Sequence, residues 1–283
     1  MKKRIITLQN LSLFGRCSLT IALPVITALG VECVPLPSMI LSTHTGGLGE
    51  PVRTDLESII NPAIEHFDKI KVNFDGIYFG YIGSGSKIEA AKNLIRVFKH
   101  EDNFVLVDPA MADHGKLYSG FDTGYVEKIK ELSKLSDYIT PNLTEACMMA
   151  GYGYRGESPD DETLRLMLDK LSDLYETGVI ITGITKNICG KEYVGAAYKE
   201  LTGSPEMGDF LERVKGAFHG TGDLFASVVS SRLVTGKDLK NSVNDATAIT
   251  RLAAELTLKK GEDPRYGLDI EGLIPELVSG YHN

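Results

Sequence analysis

A run of small residues leading into an apolar stretch carries the strongest chemical signal in the chain: Gly216-Ala217-Phe218-His219-Gly220-Thr221-Gly222-Asp223, followed by Leu224-Phe225-Ala226. Where such a turn opens a helix, consecutive backbone N–H groups converge on one point, and the positive end of the helix dipole adds to their pull on an anion. A phosphate suits that concavity. Asp223 sets a carboxylate beside it, where it can take a proton from an attacking hydroxyl. Read alone, the same aspartate is also an ordinary helix cap, so the assignment depends on what the rest of the chain brings to it.

Two more polar segments sit where strands give way to turns. Asp108-Pro109-Ala110-Met111-Ala112-Asp113 follows the apolar Phe104–Val107, so two carboxylates leave the C-terminal end of a strand. Open α/β sheets bind their ligands at that end, although a turn with exposed acids has the same sequence. Thr140-Pro141-Asn142-Leu143-Thr144-Glu145 closes another strand and opens a helix, and Asn142 with Glu145 has the spacing of a capping pair. Two common nucleotide-binding patterns are excluded. Gly151-Tyr152-Gly153-Tyr154-Arg155-Gly156 matches G-x-G-x-x-G, but it follows a helical stretch and precedes a polar turn through Pro159, whereas the dinucleotide fingerprint leaves a strand and opens a helix. These glycines are a helix stop and a loop. No G-x-x-x-x-G-K-[ST] occurs.

The elements that must hold these groups alternate. Short β-branched runs predict strands over 4–8, 32–35, 76–79, 104–107, 138–140 and 178–182. Amphipathic periodicity predicts helices over 17–29, 53–67, 87–99, 124–135, 143–150, 163–175, 224–234 and 239–258. Strand–helix alternation is the mark of an α/β fold with a mainly parallel central sheet flanked by helices. No linker, repeat or low-complexity tract divides the chain, which points to a single domain over 1–283. The glycine-rich polar stretch 38–51 reads as a small lid or as a plain surface connection.

Composition limits the partners. A formal net charge of -8 argues against a nucleic-acid surface. Cys17, Cys33, Cys147 and Cys189 lie far apart, which suggests buried free thiols and neither a zinc site nor a disulfide framework. The N-terminal basic residues lack the uninterrupted apolar run of a signal peptide, and no stretch approaches the roughly 20 apolar residues of a membrane span. A cytoplasmic protein without membrane contact is the expectation.

The segment Gly220-Thr221-Gly222-Asp223-Leu224-Phe225-Ala226 resembles the anion-hole signature of the ribokinase-like superfamily, which implies a three-layer fold of that kind. Asp108 to Tyr118, Thr140 to Glu145 and the Arg213-Val214-Lys215 run are similar to segments of its pyridoxal/pyridoxamine kinase branch, in the same order. The resemblance implies transfer of the ATP γ-phosphoryl to the 5′-hydroxymethyl group of a vitamin B6 form. Asp223 would then be the base, with Gly220, Thr221 and Gly222 as the anion hole. It places Asp113, Asn142, Glu145, Thr182 and Val214 at ATP, with Asp113 and Glu145 on Mg2+ largely through water. Asn10, Cys17, Thr45 and Tyr81, with Asp223, would line the acceptor pocket. A monovalent cation such as K+ and a homodimer are further family expectations. Hydroxymethylpyrimidine kinase is the nearest enzymatic alternative, and a non-catalytic binding protein on the same scaffold is a second. The chain departs from the pattern at Asn10, where Ser is usual, at Ala110 and Ala112, and at His219, where an apolar residue is usual. His219 fits either a phosphate contact or a packing substitution.

Overall fold

The computed structural model describes residues 2–280. In chain order it contains β1 (Arg4–Phe14), α1 (Leu19–Ala28), β2 (Glu32–Thr43), β3 (Arg53–Asp55), α2 (Glu57–Lys69), β4 (Gly76–Phe79), α3 (Gly85–Phe98) and β5 (Phe104–Val107). Next come the short hairpin β6 (Ala112–Asp113) and β7 (Lys116–Leu117), then α4 (Thr123–Ser133), β8 (Tyr138–Ile139), α5 (Leu143–Ala150) and α6 (Asp161–Tyr175). The last part holds β9 (Gly178–Ile188), β10 (Lys191–Lys199), β11 (Glu206–Glu212), α7 (Thr221–Val234), α8 (Leu239–Lys260) and α9 (Ile270–Gly280).

Nine strands form one sheet in the order β11-β10-β9-β8-β5-β4-β1-β2-β3. The six from β9 to β2 pair in parallel, and antiparallel strands close both edges. Side chains alternate across this sheet, as the pleat requires. Ile77 and Phe79 of β4 and Val105 and Val107 of β5 pack under α2 to α6. Tyr78 and Leu106, one residue out of phase, pack under α1, α7, α8 and α9. Helices cover both faces of the sheet, so the central strands read as continuous apolar runs. The architecture is a three-layer α/β fold, as the resemblance to ribokinase-like proteins implies. Among the described residues no helix is long and apolar enough to cross a membrane.

The structure corrects several boundaries. Residues 53–55 form an edge strand, not the start of a helix, with Leu41 opposite Arg53 and Met39 opposite Asp55. β2 consequently runs to Thr43, held between β1 and β3, and Ser38 is fully buried, so the stretch outside strands shrinks to 44–52. β9 extends six residues past the expected end and turns back into β10 through Cys189 and Gly190, both at positive φ (52° and 79°). That is the backbone of a type I′ hairpin turn. Cys189 is therefore exposed, against the expectation of a buried thiol, whereas Cys33 and Cys147 are buried as expected. Gly151 ends α5 in the left-handed region (φ 71°), as the helix-stop reading of the glycine repeat requires.

Candidate active site

The strand ends meet in register. Beyond the named strands the backbone ladder continues through Asp108 N–H to Phe79 O (2.8 Å), Thr140 N–H to Val107 O (3.0 Å), Thr182 N–H to Pro141 O (3.0 Å) and Asn10 N–H to Tyr81 O (3.0 Å). This carries the segments at Asn10, Tyr81, Asp108, Thr140 and Thr182 to one rim, at the C-terminal ends of the parallel strands.

Helix α7 begins at Thr221, three residues ahead of the expected start, so Gly222 and Asp223 lie in its first turn. The first turn of a helix leaves its N–H groups without intrahelical acceptors, and here they belong to Thr221, Gly222 and Asp223. Gly220 is the N-terminal cap at φ 87° and supplies no side-chain bond. A Cβ at Gly220 would meet the Ile21 side chain and come within 2.8 Å of Arg16 O, so both backbone and space demand glycine. A Cβ at Gly222 would stand 3.9 Å from Asp108 Oδ2, which shows this acid facing the turn. Asp223, third in the helix, does not occupy the cap position, which removes the plain reading of it.

Asp223 is half-buried in the first turn of α7. Burial pushes its carboxyl up to about 6. Its charge is felt by Cys17, Tyr78, Asp108 and Tyr118, which come from four separate segments around the same space. Burial, with the charges of Glu145 and Asp223, holds the Asp108 carboxyl well above the usual range. A carboxylate poised near neutrality in a crevice is a candidate proton acceptor.

Asn142 and Glu145 form a complete capping box on α5. Glu145 is 1% exposed. Its Oε1 accepts from Met111 N (2.8 Å) and Ala112 N (3.2 Å), and its Oε2 from Asn142 N (2.9 Å). The Asn142 amide donates to Ala112 O at 2.7 Å. These two side chains thus bolt the Asp108–Asp113 turn onto α5. Burial raises the Glu145 carboxyl to about 7 despite three backbone donors. Asp113 sits at the tip of the β6–β7 hairpin, whose turn residues His114 and Gly115 take φ 48° and 76°. Asp113, Asn142, Thr182 and Gly183 line one shallow cleft with Thr144, Tyr154 and Glu157. Val214 lies outside that lining, half-buried against the α7–α8 layer.

On the acceptor side Asn10 is 3% exposed and its amide is engaged within the chain. Asn10 Nδ2 donates to Ser12 Oγ (3.1 Å), Ser18 Oγ donates to Asn10 Oδ1 (2.6 Å), and Ser12 Oγ meets Cys17 Sγ at 3.3 Å. Burial and the Asp223 charge raise the Cys17 thiol to about 12, so it stays protonated. Tyr81 begins an aromatic ladder, its ring 5.2 Å from Phe121, which stacks at 3.8 Å on Tyr125. Thr45 is exposed on the 44–52 loop. That loop is anchored by His44, whose Nε2 lies 2.6 Å from Arg265 O while its Nδ1 accepts from Gly46 N at 3.0 Å. His219 packs on it, 4.7 Å from the His44 ring. His44 as an anchor and Phe121 were not legible in the sequence, because each acts through a contact with a segment distant in the chain.

Comparison with known proteins agrees with this geometry. The family described as Phosphomethylpyrimidine kinase matches residues 22–265. The pyridoxal kinase of Sus scrofa is 27% identical over 247 residues, spanning 80% of this chain and 73% of that protein. The crystal structure of pyridoxal kinase from Lactobacillus plantarum superposes with a TM-score of 0.89 at 28% identity, covering 99% of both chains. A putative phosphomethylpyrimidine kinase from Bacteroides thetaiotaomicron, in a crystal form with pyridoxal, gives 0.89 at 30% identity over 98% of this chain and 96% of that one. A match across most of the chain settles the lineage: the chain belongs to the phosphomethylpyrimidine kinase family.

Proposed function

We propose that this protein is an ATP-dependent kinase that phosphorylates the 5′-hydroxymethyl group of pyridoxal, pyridoxamine or pyridoxine. The observation that carries the reading is the pairing of the open first turn of α7 with the Asp223 carboxylate, which burial raises to about 6. Relatives named pyridoxal kinase, alike over four-fifths of the chain, support the acceptor class.

In the mechanism, Asp223 accepts the hydroxyl proton as the acceptor oxygen forms its bond to the γ-phosphorus and the bond to the β,γ-bridging oxygen breaks, leaving ADP. The N–H groups of Thr221, Gly222 and Asp223 face the charge that builds on the transferred group, so they favour the transition state over the ground state. Tyr81 supplies an aromatic face for a flat acceptor ring. Little covalent work falls to the protein in phosphoryl transfer, and the rest is positioning.

The residues present fit a divalent cation. Burial drives up the carboxyls of Asp108, Glu145 and Asp223, and Glu145, Asp223 and Asp113 add their negative charges. Hard oxygen ligands of this kind suit Mg2+, with Asp113 and Glu145 the residues to hold it through water. When bound, Mg2+ would offset charge on the phosphate oxygens.

A second reading is phosphorylation of hydroxymethylpyrimidine, favoured by the family description that matches residues 22–265. An ADP-release assay with pyridoxal, pyridoxamine, pyridoxine and hydroxymethylpyrimidine separates them. The expected result is a kcat/KM at least ~10-fold higher for one of the pyridine acceptors, the discrimination a polar pocket readily gives. Preference for the pyrimidine replaces the proposal with the second reading, and binding without transfer of phosphate to any acceptor makes the chain a binding protein.

A further inference from the structure

Several segments distant in the chain meet at His44, and both of its ring nitrogens are spent on backbone. Its Nε2 lies 2.6 Å from Arg265 O, and its Nδ1 accepts from Gly46 N–H at 3.0 Å. Because Nδ1 accepts, Nε2 is the nitrogen that carries the proton and donates to the carbonyl. Arg265 Nη1 returns the contact by donating to Gly47 O at 3.4 Å. The ring also lies against the β1–α1 connection, so closely that a Cβ at Gly15 would run into it.

His219 joins this cluster from the turn ahead of α7. Its ring centroid is 4.7 Å from that of His44, at an interplanar angle of 40°, within the range where flat rings attract one another. Gly46 is equally close. A Cβ there would run into His219 Cε1 and stand 2.9 Å from its Nδ1, so the loop reaches the ring only because this residue has no side chain. Thr45 therefore stands between two residues that both touch His219. The residue after His219 is Gly220, the cap of α7, whose own Cβ position is closed by Arg16 O and Ile21. The 44–52 loop and the anion turn are thereby joined through one imidazole.

We propose that His219 is a positioning residue for the acceptor: acting through His44 and Gly46, its ring holds the 44–52 loop, and with it Thr45, against the turn that opens α7. The contact is one of shape and ring packing, so of the two roles open to His219 from the sequence the structure favours packing over a phosphate contact. Packing needs only a flat ring of the right size, whereas a phosphate contact needs a ring nitrogen. That difference makes the two roles separable by substitution. The effect on the acceptor rests on the kinase reading given above, while the contact between loop and turn stands without it.

The test compares His219→Ala, His219→Phe, Gly46→Ala and the Gly46→Ala/His219→Ala double variant in the full chain. Thermal melts check folding, hydrogen exchange across residues 44–52 reads the loop in the free protein, and kcat with both KM values is measured with ATP and pyridoxal. His219→Ala is expected to raise exchange in the loop and to raise KM for pyridoxal by about 3- to 10-fold, the size of one lost ring contact, with kcat and KM for ATP within about 2-fold of the parent. His219→Phe keeps a flat ring without the nitrogens and should stay within about 2-fold of the parent throughout. Gly46→Ala should match His219→Ala, and the double variant should be no worse than the poorer single one, because both remove the same contact. Unmoved loop exchange or an unmoved pyridoxal KM in His219→Ala overturns the proposal. So does a His219→Phe variant as impaired as His219→Ala, which assigns the ring nitrogens to a ligand. Absence of phosphate transfer in the parent protein removes the kinase reading alone; pyridoxal affinity by calorimetry then takes the place of KM, and the same outcomes decide the role of His219.

Discussion

At the scale of single residues, the site rests on positions where one atom too many closes it. Gly220 combines a left-handed backbone (φ 87°) with contact to Arg16 O and Ile21 on the side where a Cβ would go. Gly220→Ala is expected to lose about 1–3 kcal/mol of stability and to reduce turnover by more than stability alone explains, because the N–H groups it aims are displaced. Denaturant unfolding and kcat, measured on the same preparation, check this. A variant with unchanged unfolding and kcat would show the turn to be looser than its geometry indicates. The motif containing Gly220 was legible in the sequence through its company, the Asp108–Asp113 and Thr140–Glu145 segments, since alone it reads equally as a capped helix start.

At the scale of elements, β4, β5 and α5 fall where their periodicity places them, because each is a buried run bounded by turn residues. The edges were harder to read. Residues 53–55 form a strand only because β2 offers an open edge beside them, and their local pattern is indistinguishable from the start of α2. The β10–β11 hairpin went unread because its alternation, seen in Tyr193 and Gly195 against Val194 and Ala196, mixes small and polar residues on both faces. Asn142 and Glu145 cap α5, as the capping reading of them requires, and Asn142 also lines the cleft with Asp113 and Thr182. Asn142→Ala should therefore cost about 0.5–2 kcal/mol through the lost cap, and it also frees Ala112 O on the Asp113 hairpin. Hydrogen exchange is expected to rise in the first turn of α5 and in residues 110–117 together. A rise confined to α5 would separate the cap from the hairpin.

At the scale of the whole molecule, an acidic protein sets three acids that burial drives up near one another: Asp108, Glu145 and Asp223. Glu145 goes from 4.5 to about 7 on folding, so the folded state holds a proton that the unfolded state releases. Its stabilising contribution is complete below about pH 4.5 and is lost as pH rises through about 7. Asp223, raised from 3.8 to about 6, acts in the same sense. The metal-free protein is expected to melt at lower temperature at pH 8 than at pH 5.5, and excess Mg2+ should narrow that gap. A melting temperature that climbs with pH in metal-free buffer would contradict the clustering.

The central claim, that Asp223 takes the acceptor proton beside the open turn of α7, is tested most directly by single-turnover phosphoryl transfer in Asp223→Asn with ATP affinity measured by calorimetry. The account predicts transfer slower by roughly 10^2- to 10^4-fold with ATP affinity within about 3-fold of the parent. Transfer at the parent rate, with ATP bound as before, would contradict it.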